Sequence, residues 1–324
     1  VSWINFFKDK IFCGTNVRKI LQTDECMVMQ IYDESGEGTM TVHKIFEGIY
    51  LIYNDMHLKK YMCDFQLKEN ATILCIDHCR EGRMEAEFGK RTFCYLQEHE
   101  MRVDNRQRHN GHVSFPLCHY HGISIHFDLE VASFVLNDMF GGFSVDLCEL
   151  QKKYCNNVKP YIIHNEVGLE HIFSELYFVP NQIKSEYYKV KALELLLYLD
   201  ALQITNSKRE RPYFYKGQVE KIKAIHDFIT EDLQKHYIME DIAERFQISL
   251  TSMKNCFKEI YGDSMCSYLR RYRINVAATM LRQDSQKGIA EIAGLVGYES
   301  PGKFAAAFRK IMGQTPIEYR KSIF

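Results

Sequence analysis

The sequence predicts an α+β protein. A β-sandwich or small barrel followed by helices is linked to an all-α C-terminal domain in which a long helix joins two helix-turn-helix units. Three observations predict it. Short runs rich in Ile, Tyr, Phe and Thr recur between about 16 and 130. Helical apolar spacing takes over from about 131 to 203. Near the C-terminus one helix ending is written twice, as MKNCFKEIYG at 253–262 and FAAAFRKIMG at 304–313.

In the β-rich part the strand-like runs are GIYLIYND, ATILCID, RTFCYLQ and GISIHFDL. They partly alternate, as half-buried strands do, and β-branched and aromatic residues fit a pleated surface. Turn signals stand between them at Glu34-Ser35-Gly36, Glu81-Gly82, Phe88-Gly89-Lys90 and Asn110-Gly111. Many short strands at this spacing favour a sandwich or barrel.

Residues 165–178 and 183–203 then carry apolar residues three and four apart. The second segment, IKSEYYKVKALELLLYLDALQ, is apolar around more than half its circumference, so it packs on two sides, within its own domain or against a second chain. Residues 204–217 are the linker, polar and then Pro-containing, without sustained periodicity. The division is therefore 1–203 for sensing and dimerisation, 204–217 for the linker, and 218–324 for a helical domain.

That last domain contains the repeat. DIAERFQIS (241–249) precedes the first copy and EIAGLVGYES (291–300) the second. Each unit reads as a short helix, a tight turn and a second helix of about ten residues. Ser249 caps the first of these second helices, and Ser300-Pro301 opens the other. Gly262 and Gly313 stand where a left-handed residue ends each helix. Ala243 and Ala293 permit a close helix crossing, and Phe257 and Phe308 point inward. Between the units runs SMCSYLRRYRINVAATMLRQ, 264–283, without Pro or Gly. Twenty helical residues span about 30 Å. Major-groove faces on one side of DNA recur about every 34 Å. A rod of this length holds two reading helices about one turn of DNA apart.

The segments IAERFQIS, FKEIYG, SYLRRYRINVAATML, IAEIAGLVGYESPGKF, AFRKIMGQTP and the closing EYR closely resemble the DNA-binding domain of AraC/XylS-type transcription regulators, over 218–324. The resemblance implies two helix-turn-helix units in consecutive major grooves of double-stranded DNA, with RNA polymerase as a further partner. On the first reading helix the outward residues are Thr251, Ser252, Lys254 and Asn255. Lys254 suits guanine O6/N7, Asn255 suits adenine, and Lys258 suits phosphate. The second helix offers Gly302, Lys303, Ala305 and Ala306 beyond its cap Ser300, where the family commonly has polar or arginine side chains. Lys303 and Arg309 are then left for phosphate, so the first unit is expected to read bases and the second to position the domain. Arg270, Arg271 and Arg273 face phosphate, or Arg273 is held inside the domain as its family position can be.

The resemblance also implies a cupin-like N-terminal sandwich that binds a small-molecule effector and a homodimer through 183–203. CREGRMEAEF and SFPLCHYHG resemble, more weakly, sensor regions of the pyochelin-regulator-like branch. Two clusters carry possible sensing chemistry, CIDHC with His78 and Cys79, and CHYHG with His119 and His121. His119 and His121 alternate on a strand and face one way, with Cys118 facing the other. Such a pair plus another His or Cys suits zinc or iron. A satisfied histidine network or an organic-ligand pocket fits the same residues, and the chain lacks the downstream Glu and final His of the metal-binding cupin pattern. No cofactor is required by any motif.

Charge supports the division of labour. The net charge of −1 conceals thirteen Lys/Arg against six Asp/Glu from Arg245 to Phe324, on an otherwise acidic chain. A basic end suits a polyanion. The 324 residues exceed one ordinary core. They contain no run of about 18 apolar residues and read without a secretion signal, so a cytoplasmic protein off the membrane is expected. Eleven scattered cysteines read as reduced thiols rather than a disulfide framework. Three functions compete: a ligand-responsive one-component regulator, a cysteine-based alkyl-transfer repair enzyme fused to a DNA-binding domain, and a constitutive DNA-binding protein. The repair enzyme wants a four-cysteine metal site and a reactive thiol whose spacings are absent, and the constitutive binder has no need of some 200 sensor-like residues. The regulator, not an enzyme, is the expected function.

Overall fold

The computed structural model describes residues 17–62, 72–88, 92–106, 109–155, 160–204, 214–283 and 286–321. It divides the chain into two compact units, Val1–Tyr213 and Phe214–Phe324. Most of the 204–217 linker, at 205–213, and the turn at 89–90 lie outside the described residues.

The first unit is a curled antiparallel sheet with helices on one face. Its strands are β1 (Val17–Gln22), β2 (Cys26–Asp33), β3 (Gly36–Phe46), β4 (Ile49–His57), β5 (Lys60–Met62), β6 (Ile73–Phe88), β7 (Thr92–Gln97), β8 (Glu100–Asp104), β9 (His109–Ser114), β10 (Tyr120–Asp128) and β11 (Tyr161–His164). The main path is β1-β2-β3-β4-β10-β6-β7. The sixteen-residue β6 makes the curl. Its Cys75–Cys79 stretch pairs with β10 and β8, and its far half pairs with β7 and β9. Alternation along β4 shows the consequence. Tyr50, Ile52 and Met56 enter an inner core with Met29, Met40 and Tyr120, while Ile49 and Leu51 enter an outer one under the helices.

Three local expectations change. Glu81-Gly82 is not a turn but an irregularity inside β6, where the register to β10 skips Arg80. Gly82 has φ +84°, and a Cβ there would stand 2.1 Å from the His119 carbonyl oxygen. Asn110-Gly111 lies within β9, in the irregularity between the Val113 and His109 pairings to β6. β11 is a strand inside the otherwise helical 131–203, recruited by β8.

The covering helices are α1 (Leu129–Phe140), α2 (Leu147–Cys155), α3 (Val167–Leu176) and α4 (Lys184–Ala201). Asp128 caps α1 by accepting from Val131 N, and Gly141 ends it at φ +62°. In α4 Tyr188, Ala192, Leu195, Leu196 and Leu199 join the outer core. Val190 and Leu197 are 59% and 47% exposed. Within its own chain the helix thus packs on one broad face, and Leu196 is core, not surface.

Apart from the two-residue strand β12 (Phe214–Tyr215), the second unit is helical: α5 (Lys216–Glu231), α6 (Met239–Arg245), α7 (Leu250–Tyr261), α8 (Met265–Gln283), α9 (Ile289–Leu295), α10 (Pro301–Met312) and α11 (Pro316–Lys321). The two copies of the repeat fold alike. Ile248 N donates to the Ala243 carbonyl at 3.0 Å, and Tyr298 N donates to that of Ala293 at 2.9 Å. The left-handed turn residue is Gln247 (φ +49°) in one copy and Gly297 (φ +80°) in the other. Glycine is required in the second, where a Cβ would meet the Leu233 carbonyl oxygen at 2.1 Å. Gly262 and Gly313 end α7 and α10 at φ +86° and +76°. Phe257, Phe304 and Phe308 are fully buried.

Candidate nucleic-acid interface and sensor sites

Ser249 accepts from Ser252 N at the start of α7, and Ser300 accepts from Lys303 N at the start of α10. Each cap holds the first turn of its helix open to solvent. On α7, Met253, Cys256, Phe257 and Ile260 are buried, which leaves Thr251, Lys254, Asn255 and Lys258 exposed. Ser252 is half-buried and accepts a 3.3 Å hydrogen bond from Gln218 Nε2. On α10, Gly302, Lys303, Ala306 and Arg309 are exposed and Ala305 is partly buried. Four polar or basic groups thus stand on one reading helix, and three, Lys303, Arg309 and Lys310, on the other.

Arg273 departs from a phosphate role. Its guanidinium is half-buried and donates to the Lys235 carbonyl at 2.9 Å. It packs against Gly297, whose missing side chain makes room for it. Desolvation lowers its pKa, as expected of a cation drawn into the domain. Arg273 locks the loop before α6 to the second turn. On the same helix Arg270 and Arg271 are exposed, and Arg271 pairs with Asp263 at 2.9 Å.

In the sheet unit the four predicted sensor residues fall in different places. His78 is 2% exposed on the helix-facing side of β6. Its Nε2 lies 3.0 Å from Glu170 of α3, and its ring stacks on Phe173 at 4.4 Å. The hydrogen bonds from His78 and His99 hold the Glu170 carboxyl down at about 2. His78 is therefore committed to fastening α3 to the sheet. Cys79 points to the opposite face, buried in the inner core. Burial pushes its thiol well up, the reverse of an activated thiolate. His119 and His121 do face one way, although β10 begins only at Tyr120. They gather with His57, a residue the sequence reading missed because β4 is some sixty positions away.

The inner face holds a polar site that no motif announced. Asp77 is 1% exposed, with Arg102 and Arg106 on its carboxylate at 2.8 and 2.7 Å. Ser124 Oγ donates to it at 2.7 Å, and Asn54 donates to Ser124. The arginines hold the Asp77 carboxyl well below its usual range against the cost of burial. Burial, with Arg106 beside it, lowers His126 to about 4. These groups line a cavity whose other walls are apolar, from Met40, Met56, Met84, Phe115 and Tyr120. The one available signal was the charged alternation Glu100-Arg102-Asp104 on β8, with Asp77 between Cys75 and Cys79 on β6.

Among the described residues no helix is long and apolar enough to cross a membrane. Residues 242–322 match the family model described as a helix-turn-helix domain. The chain is 23% identical over 189 residues to an HTH-type transcriptional activator RhaR of Mannheimia succiniciproducens, covering 57% of this chain and 67% of that protein. It is 33% identical over 93 residues to a putative AraC-like transcription regulator of Streptomyces lividans, covering 29% of this chain and 30% of the other. Among solved structures, the C-terminal domain of AraT, a response regulator from Geobacillus stearothermophilus, is 29% identical, with a TM-score of 0.30, over 32% of this chain and 84% of that one. The chain thus spans about two thirds of the first relative and less than a third of the second. The repeated fold of α6–α7 and α9–α10 and the family match agree on one point: the C-terminal part of the chain is a helix-turn-helix domain built of two such units, similar over 93 residues to a putative AraC-like regulator.

Proposed function

We propose that the chain is a one-component transcription regulator of the cytoplasm. It binds double-stranded DNA sequence-specifically with α7 and α10 in successive major grooves and answers to a small-molecule effector held by the sheet unit. The observation that carries this is the pair of capped helices, each with its first turn free in solvent, at the two ends of the nineteen-residue α8. Selection of binding sites from random duplex DNA by the purified chain tests it. An enriched motif of two boxes about one helical turn apart supports it, and binding without sequence preference refutes it.

The cavity around Asp77 is the effector site we favour. It joins a buried charged floor to a flexible Met-rich wall, which suits a ligand with a polar head and an apolar body. Dimerisation is assigned to the solvent face of α4 and its cap, where Ile183, just before the helix, and Val190 and Leu197 on it recur every seven residues and are all about half exposed. Pairing there raises the effective concentration of the second DNA-binding domain at a two-part site. RNA polymerase is the further partner that a promoter-bound regulator of this type meets. The alkyl-transfer reading is disfavoured by the thiols. Burial raises those of Cys75, Cys79, Cys94 and Cys118, and that of Cys155 reaches about 12.

A further inference from the structure

We propose that His57, His119 and His121 form a binding site for a divalent transition-metal ion of the zinc class, on the outer face of the sheet and apart from the Asp77 cavity. The three residues come from two neighbouring strands. Tyr120 pairs with Met56, so His119 stands opposite His57, and His121 stands beside Asp55 on β4 and Glu81 on β6. The imidazole centroids are 4.6 to 5.4 Å apart. One ligand nitrogen from each ring lies within 4.8 Å of the others. His57 Nδ1 and His119 Nδ1 are 3.5 Å apart. Two nitrogens on one tetrahedral zinc stand about 3.3 Å apart, so only small side-chain rotations separate this arrangement from a bound one.

The surroundings fit the same chemistry. Asp55 Oδ1 lies 2.8 Å from His57 Nε2, and Glu81 Oε2 lies 3.5 Å from His119 Nε2. Carboxylates on those two Nε2 atoms turn both Nδ1 atoms toward the centre, the second-shell arrangement that fixes the tautomer of a metal-bound histidine. His121 Nε2 lies 2.5 Å from the same Asp55 Oδ1, so this carboxylate faces two of the three imidazoles. Two carboxylates balance the charge of a divalent ion. Neutral imidazoles select zinc and its neighbours over magnesium or calcium. His57 is exposed and the other two half-exposed, which leaves an entry path. Three protein nitrogens leave a fourth position for Asp55 or water. The strand pairing that builds this site follows from the irregularity at Arg80–Gly82, which brings Glu81 in register with His121.

The site does not depend on the DNA-binding reading, and metal uptake itself is the readout. The whole chain, freed of metal by chelation, is titrated with Zn2+ against a chromophoric competitor and separately with Co2+. One tight equivalent per chain is expected, with the intense visible absorption of four-coordinate nitrogen-ligated cobalt. His57→Ala and His121→Ala should each weaken Zn2+ by about 100-fold or more, and Asp55→Asn by about 10–100-fold. His171→Ala, an exposed histidine outside the cluster, should bind as the parent does. Zn2+ should raise the melting temperature of the parent but not of His121→Ala. All these side chains except His121 are more than half exposed, so His57→Ala and Asp55→Asn keep the fold if His121→Ala does not. Absent binding, equal affinity in His57→Ala and the parent, or a cobalt spectrum dominated by thiolate charge transfer would each overturn the assignment.

Discussion

Asn255→Ala and Lys254→Ala test the unequal roles of the two reading helices. Both side chains are exposed, and neither makes an intramolecular hydrogen bond among the described residues. Alanine is the better helix former, so either change should alter folding stability by no more than about 0.5 kcal/mol. Any loss of DNA binding is then a loss of contacts to DNA. A bidentate base contact is worth about 1–3 kcal/mol, or about 5- to 150-fold in Kd. That loss should appear as relaxed discrimination at one base of one box. On α10 the corresponding surface is Ala305 and Ala306, with Lys303 and Arg309 beside it. Lys303→Ala and Arg309→Ala should weaken every sequence alike and lower the salt slope by about one each. The assay is site selection from random DNA, followed by fluorescence anisotropy on the selected and mutated boxes across a salt series. One sharp box and one degenerate box are expected. A sharp second box that survives Asn255→Ala would refute the reasoning, because α10 would then be reading bases through its backbone or Gly302.

Three further outcomes follow from the sheet unit. Leu197→Glu should turn a dimer into a monomer in sedimentation with the fold intact, whereas Leu196→Glu, fully buried, should unfold the unit; a monomeric parent would remove the dimer reading. Asp77→Asn leaves Arg102 buried with its charge uncompensated, while Arg106 keeps Asp104, and should cost about 3–5 kcal/mol in urea denaturation; a change under about 1 kcal/mol would show that the cavity is wetter than its walls imply. The α3 anchor should be sensitive to acid. Glu170 is held at about 2 against an ordinary 4.5, so its stabilisation is complete above 4.5 and lost as pH falls toward 2. The same carboxylate raises His99, whose share is present below its ordinary 6.5 and lost as pH rises through the raised value. Glu170→Gln should flatten both limbs of the stability–pH curve measured by thermal unfolding.

Local signals determined the C-terminal third of this protein in advance. Serine caps, terminal glycines, small residues at the crossing and phenylalanines at fixed offsets all act within a few residues of chain, and α6–α7 and α9–α10 formed where they stand. The exposed face of α7 was legible for the same reason, since helical spacing alone sorts Lys254 and Asn255 from Met253 and Phe257. Non-local packing decided the rest. Arg273 reads like any outward base until the loop before α6 and Gly297 close on it. Asn110-Gly111 reads like a turn until the pairings of His109 and Val113 to β6 carry it along the sheet. His78 reads like a ligand until α3 brings Glu170 and Phe173 to it. The Asp77 cavity and the His57–His119–His121 group are products of strand pairing alone. A strand's own sequence states which residues share a face, but the register that sets them opposite partners forty to sixty residues away is a property of the folded sheet.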